Sequence, residues 1–152
     1  MQYLCRIRGE ILNQKNTDDL KQELMAASDL NSFLSENEAH FESVSVKNAL
    51  NRIFKEKDIT KTELAVRSNV SEVYLHQIFS GRRIPTRDKL ICLCIGLSAS
   101  LEETQTLLKS SGYAQLYTKD RRDAIIMYSV INGIDIVTTN NRLKENSEFL
   151  LF

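Results

Sequence analysis

Between residues 60 and 83 the chain sets hydroxyls, a carboxylate, an imidazole, an amide and two guanidiniums at helical spacing. Thr60, Lys61 and Thr62 head one apolar-periodic segment, ITKTELAVRS. Ser71, Glu72, Val73, Tyr74, His76 and Gln77 belong to the next, SEVYLHQIFSG, and Arg82 and Arg83 follow its glycine. With Leu75 and Ile78 turned inward, His76 faces solvent. These groups donate hydrogen bonds, accept them and carry charge, which is the chemistry of recognition. Bond-breaking chemistry finds little material. The chain has two histidines, His40 and His76, no serine in a nucleophile elbow, and neither GxGxxG nor GxxxxGK[ST]. The acidic pairs Asp18-Asp19 and Glu102-Glu103 fall in first turns of helices, where they offset the helix dipole. Cys92 and Cys94 stand two apart in a helix, directed to different faces, with no histidine near them in sequence. They read as buried thiols rather than metal ligands. No catalytic residue, cofactor or metal is expected, and the odd count of three cysteines suits a reducing cytosol.

The elements that must position those groups are legible in the spacing. Counting Lys61 as the first position, Leu64 and Ala65 are fourth and fifth, Asn69 ninth, Val70 tenth, Leu75 fifteenth and Ile78 eighteenth. Two helices crossing steeply need a small residue where they touch, which Ala65 supplies. The turn needs a residue tolerant of positive φ, and Asn69 is the best choice after glycine. Leu64, Val70, Leu75 and Ile78 face inward and lock the pair. This is the spacing of a helix-turn-helix, a unit that commonly lays its second helix in a DNA major groove.

Over roughly residues 45–98 the chain resembles the Xre, Cro and lambda-repressor family of helix-turn-helix domains. SVKNALNRIFKEKD is similar to that family's first helix, ITKTELAVRS to its second, and SEVYLHQIFSG to its recognition helix with a closing glycine. RRIPTRDKLICLCIGL is similar to the basic loop, proline and following helix. The resemblance implies double-stranded DNA as the partner and transcription regulation as the role. Thr60, Lys61 and Thr62 would then hold phosphates. Glu72, Val73, His76 and Gln77 would face base edges, with Ser71 and Tyr74 alongside, and Arg82 and Arg83 would grip the backbone. Gln77 suits adenine and Val73 a thymine methyl. Glu72 departs from the pattern, for many members carry a neutral amide there. Its carboxylate either accepts from a cytosine amino group or repels phosphate. The second case would make the domain a protein-binding adaptor that has lost DNA binding. Residues SLEETQTLLKSSGYAQLYTKDRRDAIIMYSVINGIDI are similar to a C-terminal extension of some bacterial Xre-type proteins.

The 152 residues carry zero formal net charge, unevenly distributed. Residues 1–45 hold four basic and eight acidic side chains, residues 46–97 ten and five, and residues 98–152 six and seven. The middle segment is therefore +5, the footprint expected where a polyanion lies. Five glycines and a single proline, Pro85, fit an all-α chain with short connections. The expected division is an acidic N-terminal extension at 1–45, a DNA-binding domain at 46–98 and a C-terminal helical extension at 99–152. Caps are expected at Thr17, Ser45, Thr60, Ser71, Ser100, Asp120 and Asp135, and helix stops at Gly112 and Gly133. The run Ile125 to Ile131 reads as largely buried, and the terminal FLLF as an apolar tail needing cover. Tyr3, Leu4, Ile7 and Ile11 form a helical stripe near the other end. These apolar ends make a homodimer the expected unit, with a protein partner for either extension as a further use. No apolar run spans a membrane and no signal-peptide pattern opens the chain, so a cytoplasmic protein is expected.

Overall fold

The computed structural model describes residues 15–41 and 46–152. Every regular element among them is helical, nine α-helices and one 3-10 turn. The expected stripe at Tyr3–Ile11 and the expected cap at Ser45 lie outside the described residues. By its contacts the chain divides into two units, Met1–Ser43 and Val44–Phe152.

The described part of the first unit is a small helical hairpin. α1 spans Thr17–Ala26, α2 Leu30–Glu36, and a 3-10 turn covers Glu38–His40. The cap of α1 is Asn16, one residue before the expected Thr17. Its side chain accepts from the Asp19 backbone at 2.8 Å, and Asp19 reaches back to the Asn16 N–H in a capping box. Both residues can cap, but only Asn16 stands three before a carboxylate. α1 buries no residue, and Phe33 is the buried apolar side chain of α2. Lys15 joins the two helices by donating to Glu23 at 2.8 Å and Asn37 at 3.0 Å.

In the second unit, α3 (Val46–Glu56), α4 (Lys61–Ser68), α5 (Glu72–Phe79) and α6 (Arg87–Gly96) form a lambda-repressor-like core. α7 (Leu101–Ser110), α8 (Arg121–Ile131) and α9 (Ile136–Glu145) follow. α6 is the hub, packing against α4, α7, α8 and α9. Its sequence explains this position. Leu90, Ile91, Cys92, Leu93 and Cys94 are apolar all round the helix, and all are buried. Such a helix has no face to offer water and must be surrounded. The two thiols expected on different faces are therefore both enclosed.

α6 also needs close approach. A methyl group on Gly96 would collide with the Ser68 hydroxyl at the end of α4, so glycine lets the two backbones meet. The caps at Ser100, Asp120 and Asp135 are in place. Gly112 and Gly133, just past α7 and α8, have φ of +76° and +61°, the left-handed geometry of a helix stop. Two expectations need correction. In α8 Ile126 is buried, but Tyr128 and Ile131 are exposed, because only one side of that helix meets α6, α7 and α9. In the terminal tail Leu151 alone is buried, held by its N–H donating to Asn140, while Phe149 is 86% exposed.

Candidate nucleic-acid interface

The turn between α4 and α5 has the geometry its residues require. Asn69 caps α4 at φ 52°, ψ 46°, in the left-handed region. The Val70 N–H donates to the Ala65 carbonyl at 3.0 Å, closing the turn over that buried small residue. Ser71 then caps α5, accepting from the Tyr74 N–H at 3.1 Å. Leu75, Ile78 and Phe79 are buried, and Phe79 meets Phe54 of α3 edge-on with centroids 5.2 Å apart. The inward set fixes the outward one. Ser71, Glu72, Val73 and His76 are exposed, Tyr74 and Gln77 half-buried. Val73, at 68% exposure, is a large aliphatic group left in water among polar neighbours.

At the head of α4, Thr60 and Glu63 make a capping box. The Thr60 hydroxyl accepts from the Glu63 N–H at 3.1 Å, and the Glu63 carboxylate accepts from the Thr60 N–H at 2.7 Å. The same hydroxyl points its proton at Glu63, 3.2 Å away. These hydrogen bonds, the backbone one first, hold the Glu63 carboxyl below its ordinary pKa. Thr60 is thus already engaged, whereas Thr62 is exposed and uncommitted to the cap. Lys61 lies with its Nζ 5.5 Å from the centre of the Phe79 ring.

Past α5 the chain turns at Gly81, φ +81°. Arg82 and Arg83 follow, both exposed. The Arg83 N–H donates to the Gln77 carbonyl at 3.1 Å, and its guanidinium stacks on the Tyr74 ring at 5.2 Å. Tyr74 is pushed above its ordinary pKa, chiefly by burial, with Arg83 opposing. Ile84, next in the loop and 71% exposed, joins Val73 as a second open aliphatic. Sequence reasoning passed over Ile84, although its place between two arginines and a proline is visible in GRRIP. It also passed over Lys47, whose stem lies beside Gly81.

The far end of this loop is tied to the C-terminal helices. The Tyr113 hydroxyl donates to the Pro85 carbonyl at 2.7 Å. Arg87 pairs with Asp123 at 2.9 Å and donates to the carbonyls of Ala114 and Gln115. Arg122 in turn grips Asp88 at 3.0 Å and the carbonyls of Phe149 and Leu150. One basic and one acidic residue of the +5 segment are therefore spent on internal ties, which leaves its net charge unchanged.

Residues 50–103, from α3 through the first turn of α7, match the helix-turn-helix family. This segment is a helix-turn-helix domain of the Xre and lambda-repressor-like type. No curated protein and no solved structure matches the chain. The helix-turn-helix domain supports DNA binding at the level of the family. Among the described residues no helix is long and apolar enough to cross a membrane, and no cluster of His, Cys, Asp and Glu is arranged to hold a metal.

Proposed function

We propose that the chain is a sequence-specific DNA-binding transcriptional regulator, acting in the cytoplasm, whose helix at residues 71–80 reads the major groove. The observation that carries this is the outward set of α5 and its loop. Glu72, Val73, His76 and Gln77 lie away from the buried Leu75, Ile78 and Phe79, the exposed Thr62 precedes them in α4, and the exposed Arg82 and Arg83 follow, Arg83 stacked on Tyr74. Base-edge chemistry is flanked by phosphate chemistry, as groove recognition requires. In this role Gln77 pairs with adenine, Glu72 accepts from a cytosine amino group and Val73 meets a thymine methyl. Lys61 and Ser71 present donors near the phosphates, while the donors expected of Thr60 stay with the Glu63 carboxylate in the capping box. One such helix reads only a few base pairs, so the working unit is a homodimer on two half-sites about one DNA turn apart.

A second reading has its own support. Val73 and Ile84 expose aliphatic surface next to the acidic Glu72, a combination that also suits a protein partner. Sequencing of genomic fragments captured by the protein at near-physiological salt separates the two. Enrichment of one recurrent, two-fold-related motif is expected. An empty capture would overturn DNA recognition in favour of a protein-binding adaptor, and capture without enrichment would overturn its sequence specificity.

A further inference from the structure

The peptide between Pro85 and Thr86 is held from both sides. Its carbonyl accepts from the Tyr113 hydroxyl at 2.7 Å. Its N–H points the other way, as a trans peptide requires. Against the burial that raises the Tyr74 pKa, Arg83 and the Thr86 backbone favour the phenolate, which turns the Thr86 N–H toward the phenol oxygen. Pro85 is buried and both tyrosines are half-buried, so this bridge is largely covered from water. Tyr74 carries the constraint onward. The Arg83 guanidinium stacks on its ring at 5.2 Å, and the Arg83 N–H donates to the Gln77 carbonyl at 3.1 Å. The line runs from the segment after α7, through one peptide and one ring, to a loop arginine and the last turn of α5. Its starting point is firm. The Tyr113 N–H donates to the Leu108 carbonyl at 2.9 Å, just past Gly112 at φ +76°. Arg87 braces the same segment by donating to the carbonyls of Ala114 and Gln115.

We propose that Tyr113, which lies past residue 103 where the family match ends, is a positioning residue for DNA recognition, holding Arg83 ready for a phosphate through the Pro85–Thr86 peptide and the Tyr74 ring. The purpose rests on the DNA-binding reading, whereas the positioning is a property of the free chain. A guanidinium already stacked gives up less freedom when it closes on a phosphate than one that moves freely. Arg82, exposed in the same loop, has no such stack and gains less from the tie. The segment after α7 thus belongs to the reading apparatus, although Tyr113 itself touches neither base nor phosphate in this role.

Tyr113→Phe removes the hydroxyl alone and tests the proposal in two measurements on the full chain. The first needs no DNA. In NMR spectra a stacked guanidinium shows a ring-current shift and slowed Nε–H exchange. Arg83→Lys identifies the signal by its loss, and Tyr74→Leu gives its position without the stack. Tyr113→Phe is expected to move the Arg83 signal toward that position, and Tyr117→Phe, at an exposed tyrosine off this line, is expected to leave it in place. The second measurement is affinity for the duplex enriched in the genomic capture. Tyr113→Phe is expected to weaken it about three- to ten-fold, the net worth of one hydrogen bond, with urea unfolding showing that the variant is folded under the assay conditions. That loss is expected to vanish in an Arg83→Ala background and to add in full to Arg82→Ala. An unmoved Arg83 signal, an unchanged affinity, or a loss as large in Arg83→Ala as in wild type would overturn the proposal. If wild type binds no duplex, the DNA-binding reading falls, and the Arg83 signal still decides the positioning.

Discussion

The stack of Arg83 on Tyr74 makes the two loop arginines unlike each other. Arg83 is held at both its backbone and its guanidinium, whereas Arg82 is exposed. Arg82→Ala is therefore expected to weaken binding to every DNA sequence and to reduce the salt slope by about one unit. Gln77→Ala is expected to cost about 1–3 kcal/mol at the preferred site and little elsewhere. Binding isotherms on specific and scrambled duplexes at several salt concentrations check both. Unchanged site preference in Gln77→Ala would show that the helix docks differently. A second residue-scale expectation concerns Gly96, where an added methyl meets the Ser68 side chain. Gly96→Ala is expected to destabilise by about 1–3 kcal/mol through overpacking. The Ser68 hydroxyl is buried and finds no hydrogen-bond partner among the described residues, so Ser68→Ala removes an obstacle at little cost. In a urea-unfolding double-mutant cycle, Ser68→Ala is expected to recover part of the loss.

At the scale of the helix, caps tie stability to pH. Hydrogen bonds to the first-turn backbone hold the carboxyls of Glu63 and Asp135 below their ordinary pKa values. A depressed folded-state pKa contributes stability that is complete above the unfolded carboxyl value and is lost as pH falls through the folded value. Stability is thus expected to decline below the ordinary carboxylate range, less steeply in Glu63→Gln than in wild type. Urea midpoints between neutral and acid pH measure it. These caps were also the most legible part of the sequence. Thr60, Ser71, Ser100, Asp120 and Asp135 announce helix starts because capping chemistry is local, and Asn69 announces its turn for the same reason. Burial within α8 was not legible. Ile126 and Ile131 have the same chemistry, and only the placement of α6, α7 and α9 distinguishes them. The outward residues of α5 could be named in advance because Leu75 and Ile78 fix the inward side. The stack of Arg83 and the ties of Arg87 depend on partners that no local pattern indicates.

At the scale of the whole second unit, two crossed ion pairs bind the helix-turn-helix domain to the helices after it. Asp123 accepts from both terminal nitrogens of Arg87 and from the Tyr117 N–H, and its side chain is 10% exposed. Removing it leaves a largely covered guanidinium without its counter-charge. Asp123→Ala is expected to destabilise by about 3 kcal/mol, the lower end of the range for a broken buried pair, since Arg87 keeps some solvent. The joint replacement Arg87→Met, Asp123→Leu is expected to be far milder, because it removes both charges. Thermal unfolding of the three proteins decides. Equal losses in single and double variants would show that the pair itself, rather than the orphaned charge, carries the stability.

The hub helix α6 also supplies a built-in clock. Burial raises the Cys92 thiol to a pKa of about 11 and the Cys94 thiol to about 12, so almost no thiolate exists at neutral pH while the helix stays enclosed. An alkylating reagent can reach either sulfur only when the centre of the unit opens. In a Cys5→Ser background, the labelling rate of Cys92 and Cys94 becomes a reporter of how often the molecule breathes. Both sulfurs are expected to be trapped at the same slow rate, and Gly96→Ala is expected to quicken both together. Fast labelling of one alone would reveal a local fraying of α6 that leaves the rest of the unit standing.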